Sequence, residues 1–238
     1  MSLDGRIILA VVPARGGSKS IPRKNLAAIM GKSLIAHAAA VIQMLSWVDR
    51  AVLSTDDEEI AAEGLRAGLL VPFMRPSELA DDTATSVDMW RHAWLASEQA
   101  FRTRFDVSVL MEPTSPLRSP EDVEATVRAL LEGNHAAAAT VSRTPAHFTP
   151  HKTLTMDDAG GIGFYLPTGA RHSLRQTIPP YYHRNGICYA AQRETIVDKG
   201  MILESDCKAV IIARPVINID EPLDLELAAF LMERQIPQ

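Results

Sequence analysis

The sequence predicts an α/β domain built on a doubly wound, mostly parallel sheet. Two observations support this: short apolar runs alternate with amphipathic segments of helical period, and polar loop residues follow the ends of those runs. With 238 residues, of which 47% are hydrophobic, the chain can build a substantial core. We expect one domain over residues 1–238, with its functional site at the carboxyl ends of the strands.

The elements are expected in a regular order. A buried strand over residues 7–12 precedes a helix over 33–47 that Ser33 can cap. A strand over 50–54 leads into a helix that opens at Thr55 or Asp56 and ends near residue 66, with acids in its first turn as the helix dipole favours. The further elements are a weak strand over 69–72, a helix over 83–99, a strand over 107–111, a helix that Ser119 caps before Pro120, strands over 136–141, 186–191 and 208–212, and a final helix to about residue 234.

Residues 142–182 interrupt this alternation. The stretch is rich in proline and glycine and shows neither helical nor strand periodicity. A loop-rich insertion of this length inside a compact domain is usually functional. We therefore expect it to cover a site or to meet a partner.

The first part of the chain concentrates positive charge. Residues 5–48 carry six Lys and Arg side chains and no acid, although the net charge of the chain is −5. Four of the six lie in the loop after the first strand: Arg15, Lys19, Arg23 and Lys24. Because glycines let the backbone approach an anion while cations neutralise it, this loop predicts a polyphosphate site rather than a basic surface loop.

Two familiar phosphate-binding patterns are absent from this loop. Ser18 stands where a P-loop needs glycine before its Lys-Ser pair, and Pro22 lies where the following helix should begin. Gly16 and Gly17 also fail the Gly-x-Gly-x-x-Gly spacing of dinucleotide-binding folds. A kinase or another P-loop NTPase, which would release a nucleoside diphosphate, is disfavoured on this ground.

Composition excludes several other classes. The mild acidity and the focal positive charge argue against non-specific nucleic-acid binding, and no apolar run is long enough to span a bilayer. Cys188 and Cys207 lack metal-type or redox-type spacing, and no signal peptide is recognisable. We expect a reduced, cytoplasmic setting, with no nucleic-acid or membrane partner.

Several spaced motifs together resemble one family, the acylneuraminate cytidylyltransferases, also called CMP-sialic acid synthetases. The resemblance covers nearly the full length and lies in these segments: residues 12–26, 54–56, 75–83, 112–118, Arg175 with Gln176, Asn185-Gly186 with Tyr189, and 218–224. It implies a Rossmann-like nucleotidyltransferase fold. It also implies a reaction that joins the anomeric hydroxyl of a 2-keto sugar acid to the α-phosphate of CTP and releases pyrophosphate.

The resemblance assigns roles to named residues. Arg15, Lys19 and Lys24 are implied to bind and neutralise the triphosphate, with the backbone of Ala14, Gly16 and Gly17 around it. The implied contacts to the cytidine nucleotide are Asn25, Arg75, Ala84, Thr85 and Ser86. Arg75 has an alternative as the ion-pair partner of Glu78 or Asp81.

The sugar acid is implied to meet a second set of side chains: Glu112, Lys152, Arg175, Gln176, Asn185 and Tyr189. An arginine can bind a planar carboxylate with two parallel hydrogen bonds, which suits Arg175. In the family the insertion is a dimerisation element that reaches over the active site, so a homodimer is expected. The alternative for Lys152 is a solvated loop lysine.

The metal expectation depends on Asp220 and Asn218. The family usually has two aspartates at these positions and binds Mg²⁺, whose ligands are hard oxygens. Asn218 keeps a carbonyl but removes one negative charge, and Asp220 could instead cap the last helix. Asp224 is expected in the first turn of that helix.

Glu112 and Ser20 are further departures. Sialic acid enzymes commonly place glutamine at the first position, facing the sugar, and glycine at the second. We therefore interpret the sequence as that of a Mg²⁺-dependent cytidylyltransferase for a nonulosonic acid, with Arg15, Lys24 and Asp220 as its catalytic residues. Two alternatives remain: a non-catalytic CTP-binding module, and a related CMP-sugar synthetase for an eight-carbon 2-keto acid.

Overall fold

The protein is built around one six-stranded sheet. The structure is a computed structural model that describes residues 3–171, 174–202 and 206–235. The sheet has the strand order β10-β6-β9-β5-β1-β4. Its strands are β1 (Ile8–Pro13), β4 (Arg50–Ser54), β5 (Val107–Leu110), β6 (Ala137–Arg143), β9 (Tyr182–Gln192) and β10 (Cys207–Ile211). Two short hairpins lie outside it: β2 (Ala28–Ile29) with β3 (Lys32–Ser33), and β7 (Leu154–Met156) with β8 (Ile162–Phe164).

The sheet is mostly parallel, as predicted, with one reversed strand. β1 pairs in parallel with β4 and β5, and β10 pairs in parallel with β6. β9 is antiparallel to both β5 and β6, which periodicity alone did not reveal. An antiparallel neighbour needs no crossover helix. The chain can therefore leave β6, form the insertion and return directly as β9.

The described residues form five α-helices; α1 to α4 pack on the sheet, and side-chain caps fix where these four begin. They are α1 (Leu34–Gln43), α2 (Glu58–Arg66), α3 (Ser86–Phe101), α4 (Pro120–Glu132) and α5 (Pro222–Gln235). The side-chain oxygens of Ser33, Asp57, Thr85 and Ser119 accept N–H groups of the first turns of α1 to α4. Ser119 forms a full capping box, since Asp122 returns a bond to its N–H.

Several expected boundaries were wrong by a few residues. α1 ends at Gln43 rather than at residue 47, because the chain turns there and buries Leu45 and Trp47. α3 begins only at Ser86, because the Asp81 carboxylate takes the N–H groups of residues 83 and 84. The weak strand at 69–72 reduces to a single bridge between Val52 and Leu70.

Each face of the sheet carries its own apolar core. α1, α2 and α4 cover one face, and α3 covers the other together with a π-helical turn at Glu194–Asp198. Trp90 on α3 is fully buried and donates its indole N–H to Ser108 on β5 at 2.8 Å. α5 packs against the β2–β3 region instead, and this brings residues 218–220 beside the loop that follows β1.

Candidate active site

A cleft of about 360 Å³ opens at the carboxyl ends of β1 and β5. Its nucleotide side is lined by residues that the sequence assigns to nucleotide binding: Arg15, Lys24, Asn25, Arg75, Ala84, Thr85 and Ser86. Its other side is lined by Glu112, Asn218 and Asp220. Segments far apart in the sequence therefore meet where a doubly wound fold places its ligand.

The loop after β1 is held open by acidic side chains from neighbouring loops. Arg15 donates to the Asp81 carbonyl at 2.8 Å and to the Asp82 carboxylate at 3.1 Å. Lys19, which is exposed and does not line the cleft, forms an ion pair with the same Asp82. Arg15 and Lys19, two of the predicted triphosphate-binding cations, are thus both paired with the Asp82 carboxylate. An anionic ligand could replace that carboxylate as their partner.

The backbone of this loop is fixed at Ala14 and Gly16. The N–H of buried Ala14 donates to the carbonyl of Ser54, and the N–H of Gly16 donates to Asp56 at 2.9 Å. A Cβ at Gly16 would stand 2.9 Å from a carboxylate oxygen of Asp57, so this position requires glycine. Gly17 has open space around it.

Asn25 and Arg75 are buried side chains that line the cleft and also donate hydrogen bonds to neighbouring loops. Asn25 donates to the Arg15 carbonyl at 3.0 Å and so braces the loop from below. Arg75 donates to the hydroxyl and the carbonyl of Ser54. Burial lowers the pKa of Arg75 to about 10. Among the described residues it forms no ion pair with Glu78 or Asp81, so that alternative lacks support.

Lys24, Asp220 and Asn218 form a connected group. The Lys24 ammonium donates to the Ile219 carbonyl at 2.8 Å and to the Asp220 carboxylate at 3.2 Å. The Asn218 amide donates to the other Asp220 oxygen at 3.2 Å. Asp224 accepts the N–H groups of Asp220 and Glu221, as expected for the first turn of α5, so Asp220 does not serve as the cap.

Glu112 lies two residues beyond the end of β5, and its side chain is partly buried in the wall of the cleft. Burial raises the pKa of its carboxyl group, while Arg118 and Arg184 oppose the shift. Its backbone is held by fully buried Arg118, which also donates to the Gly186 and Ile187 carbonyls. Burial lowers the pKa of Arg118 to about 10. Arg118 therefore ties the Glu112 loop rigidly to β9.

Gly186 provides the close approach of β9 to this group. It has φ +72° and lies at a register shift between β6 and β9. A Cβ there would lie 2.8 Å from Ser115 Oγ, 2.9 Å from Glu112 Oε2 and 3.2 Å from Asn218 Oδ1. Three oxygens thus converge on a position that admits no side chain.

Asn185 and Tyr189 are buried on β9 and do not line the nucleotide cleft. Asn185 accepts from Thr140 at 2.7 Å and donates to Ser142 at 3.1 Å, which shapes the bulge before Gly186. Burial raises the pKa of Tyr189 to about 12. Asn185 thus has positioning contacts, whereas Tyr189 packs in the apolar core beneath α3. The predicted contact of both residues with a sugar acid stays a prediction.

The predicted residues of the insertion lie away from the nucleotide cleft of their own subunit. Lys152 follows the short helix Ala146–Phe148, and Arg175 and Gln176 lie in an exposed turn of 3₁₀ helix. Arg175 lines a separate cavity of about 240 Å³ with Arg143. In this chain alone, neither Lys152 nor Arg175 reaches the cleft lining.

Sequence reasoning missed three residues that the structure places at the site. Asp56 and Asp82 hold the loop after β1, and Arg184 lies close enough to Glu112 to shift its pKa. The acids after β4 and those at residues 81–82 could be seen in the sequence. Their contacts with the basic loop after β1 could not, because those contacts depend on the order of the strands in the sheet. Arg184 was hidden because β9 was not expected to reverse direction.

The fold and the cleft define an α/β protein whose strand-end cleft is lined by cationic side chains. The chain belongs to the cytidylyltransferase family, since residues 9–226 match the family model described as "Cytidylyltransferase". It is 32% identical to the CMP-N,N'-diacetyllegionaminic acid synthase of Legionella pneumophila, over 95% of this chain and 96% of that protein. It is 26% identical to a pseudaminic acid cytidylyltransferase of Campylobacter jejuni, over 94% and 95% of the two chains.

Two solved structures support the fold at low sequence identity. A CMP:2-keto-3-deoxy-manno-octonic acid synthetase complexed with CTP superposes with TM-score 0.71 and 19% identity, covering 97% of this chain and all of that one. A 4-diphosphocytidyl-2C-methyl-D-erythritol synthase from Anaerococcus prevotii superposes with TM-score 0.66 and 16% identity, covering 97% and 98%. The expected Rossmann-like nucleotidyltransferase architecture is thereby confirmed.

Proposed function

We propose that this enzyme transfers CMP from CTP to the anomeric hydroxyl of a nonulosonic, sialic acid-like sugar acid and releases pyrophosphate. The observation that carries the proposal is the cleft itself, in which Arg15, Lys24, Arg75 and Asp220 meet at the strand ends. Relatives that match over almost the whole chain are named as cytidylyltransferases or synthases of CMP-linked nonulosonic acids.

The reaction follows from the charges in the cleft. The sugar hydroxyl attacks the α-phosphorus in line with the departing pyrophosphate, and negative charge grows on the phosphate oxygens. Arg15 and Lys24 stabilise that charge from fixed positions, which is the main catalytic contribution open to a phosphoryl-transfer site. For this, Arg15 exchanges the Asp82 carboxylate for the phosphates.

Mg²⁺ is the proposed cofactor, held by Asp220 and Asn218. The Asp220 side chain is 69% exposed and offers hard oxygens, since Asp224 accepts the N–H groups at the start of α5. Asn218 turns its Nδ2 towards Asp220 and its Oδ1 towards Ser115, so it would bind the ion only with its amide rotated. Within the described ranges no three His, Cys, Asp or Glu side chains could hold a metal together. That agrees with an ion bound by one carboxylate plus substrate phosphates, whose charge it neutralises when bound.

A homodimer and a cytoplasmic location complete the proposal. The β7–β8 hairpin and its flanks expose large apolar side chains, namely Phe148, Leu154, Met156, Ile162, Phe164 and Tyr165. An isolated two-stranded hairpin is marginal in water, so a second copy covering it would explain its sequence. Among the described residues, every helix is too short or too polar to traverse a bilayer. Light scattering should give twice the monomer mass, and Met156→Glu should reduce it.

Pyrophosphate release with CTP and a panel of sugar acids tests the activity. Turnover should require CTP, Mg²⁺ and one acid of the panel. Lys24→Met should lower kcat by about 10²-fold, a typical cost of one preorganised charge. Lys32→Met is the matched control, since it removes an equal charge from an exposed position on β3. Absence of turnover with every acid would refute the proposal.

Two other functions are separated by the same assay. A non-catalytic CTP-binding module is favoured only by Asn218. It predicts that the protein binds CTP without turning it over, and that Asn218→Asp restores the turnover. A preference for an eight-carbon 2-keto acid would appear directly in the panel. The family relatives named above favour nine-carbon acids as first candidates.

A further inference from the structure

Arg23 is the fourth cation of the loop after β1, and neither the resemblance nor the proposed reaction gives it a role. It does not line the nucleotide cleft. Its guanidinium instead donates to both carboxylate oxygens of Asp57, at 2.7 and 3.3 Å, and forms an ion pair with Glu59. Asp57 caps the start of α2, so Arg23 holds the end of the loop against that helix.

Asp57 contacts both ends of this loop. Near its start, Gly16 packs so closely that a Cβ there would lie 2.9 Å from Asp57 Oδ2. Near its end, Arg23 binds the same carboxylate. Arg15 precedes the first contact and Lys24 follows the second, so Asp57 anchors the loop beside each predicted catalytic cation.

The backbone of Arg23 adopts the left-handed conformation, with φ 56° and ψ 34°. An arginine rarely occupies this region, because its Cβ approaches the neighbouring backbone too closely. Here the chain turns into the short 3₁₀ helix Lys24–Leu26, and successive side chains reach different neighbours: Arg23 reaches α2, and Lys24 reaches residues 219–220. A strained conformation persists where surrounding contacts hold it, and the pair with Asp57 supplies such a contact.

The pair with Asp57 is too exposed to contribute much to global stability. The side chain of Arg23 is 41% exposed and that of Asp57 is 22% exposed, and pairs of this kind add little to the free energy of unfolding. The geometry is nevertheless specific, because two hydrogen bonds fix the plane of the guanidinium. The effect of the pair should therefore be local, on the direction of the residue that follows.

We infer that Arg23 is a positioning residue of the proposed enzyme, whose contact with Asp57 holds the left-handed turn that directs the Lys24 ammonium into the cleft. The inference rests on the proposed function. Arg23 itself touches neither the nucleotide nor the sugar acid. It acts through Lys24, whose charge it places against the CTP phosphates.

A double-mutant cycle between residues 23 and 24 tests this role. Wild type, Arg23→Ala, Lys24→Met and the double variant are titrated with CTP in Mg²⁺ by calorimetry, and kcat is measured on the same samples. Arg23→Ala should raise the dissociation constant of CTP by about 3- to 10-fold, within the usual range for coupled neighbours, and should lower kcat by at least as much. In the Lys24→Met background it should change either quantity by less than about twofold, because the ammonium that it positions is absent.

Two further variants separate the turn from the charge. Arg23→Gly removes the pair but adopts the left-handed conformation freely, so it should retain more kcat than Arg23→Ala. Asp57→Asn keeps a side chain that caps α2 and removes the charge that holds Arg23. It should therefore weaken CTP binding as Arg23→Ala does. If Arg23 bound phosphate directly, Asp57→Asn would free it and strengthen CTP binding.

Arg66→Ala is the matched control. It removes an equal charge from an exposed pair with Glu63 on α2, and it should leave kcat and the dissociation constant of CTP as in wild type. Thermal melts check the fold of every variant. The Arg23 variants should melt within about 4 °C of wild type, as expected for the loss of one partly exposed pair. A larger decrease would assign Arg23 a structural role and overturn the inference.

The remaining outcomes separate this inference from the proposed function. Equal effects of Arg23→Ala in the presence and absence of Lys24 would overturn the inference. Tighter CTP binding in Asp57→Asn would do so too, as would a loss of kcat in Arg23→Gly as large as that in Arg23→Ala. Absence of turnover with every sugar acid contradicts the proposed function alone, because the cycle in CTP binding still reports on Arg23. Failure of wild type to bind CTP would contradict both.

Discussion

Asn218→Asp is the substitution that most directly tests the charge balance of the cleft. Asn218 Nδ2 donates to an Asp220 carboxylate oxygen at 3.2 Å. The new carboxylate would replace that donor by a second negative charge at about the same distance. The neighbouring Lys24 ammonium, 3.2 Å from the other Asp220 oxygen, can offset only part of the repulsion.

The size of the effect follows from Coulomb's law. Two unit charges 4 Å apart in water interact with about 1 kcal/mol, and the exposed Asp220 side chain justifies the dielectric constant of water. For a protein of this size, about 1 kcal/mol lowers Tm by roughly 2–4 °C. We expect Asn218→Asp to melt lower than wild type by that amount in EDTA. In Mg²⁺ with CTP the order should reverse, because two carboxylates bind the ion better than one.

Thermal melts of wild type, Asn218→Asp and Asn218→Ala, each in EDTA and in Mg²⁺ with CTP, provide the measurement. Asn218→Ala removes the hydrogen bond without adding charge, so it separates the two contributions. A decrease for Asn218→Asp that persists unchanged in Mg²⁺ with CTP would refute the placement of the ion at residues 218 and 220.

Three further substitutions probe the surrounding groups. Asp82→Asn should lower KM for CTP by a few-fold, at most about fivefold, because it frees Arg15 from a competing carboxylate; an unchanged KM in steady-state kinetics would contradict this. Gly186→Ala should cost about 1–3 kcal/mol in urea unfolding, owing to φ +72° and to the contact with Glu112, and should raise KM for the sugar acid. Glu112→Gln should stabilise the protein at neutral pH. Burial raises the pKa of Glu112 in the folded protein above its ordinary 4.5, so as the pH rises the carboxyl group ionises first in the unfolded chain. The free energy of unfolding of wild type therefore falls by about 1.4 kcal/mol for each pH unit between the unfolded and the folded pKa. The difference between variant and wild type should therefore vanish below pH 4 in melts across pH.

Much of the fold could be predicted because local signals agreed with the global arrangement. Apolar runs located the strands, and Ser33 and Ser119 signalled helix starts that the structure confirms. The direction of β9 could not be predicted, since a buried strand has the same periodicity in either direction. Its reversal depends on the insertion returning to the neighbouring position in the sheet.

The residues of the candidate site likewise divide into those that the sequence could predict and those that it could not. Residues next to a strand end, such as Arg15 and Glu112, could be placed because strand ends converge in this class of fold. Asp82 could not, because its role comes from meeting Arg15 across the cleft. Lys152 and Arg175 were assigned by resemblance alone, and a single subunit does not bring them to the cleft.

Two of the three departures from the family pattern, Glu112 and Asn218, act on one charge balance. In the family pattern stated above, glutamine and aspartate stand where this chain has Glu112 and Asn218, so the number of carboxylates is unchanged. The second carboxylate is at position 112, close to Arg184, instead of at position 218, beside Asp220. If the exchange is compensatory, Glu112→Gln and Asn218→Asp should not be additive. The double variant should be at least about 0.5 kcal/mol more stable in urea unfolding than the sum of the two single effects predicts, because Glu112→Gln removes the carboxylate that would repel the new one at position 218. Both groups approach Gly186 within 3.2 Å of the same point, which is close enough for such coupling. Strict additivity would mean that the two positions vary independently, and that Glu112 reports on the sugar acid alone.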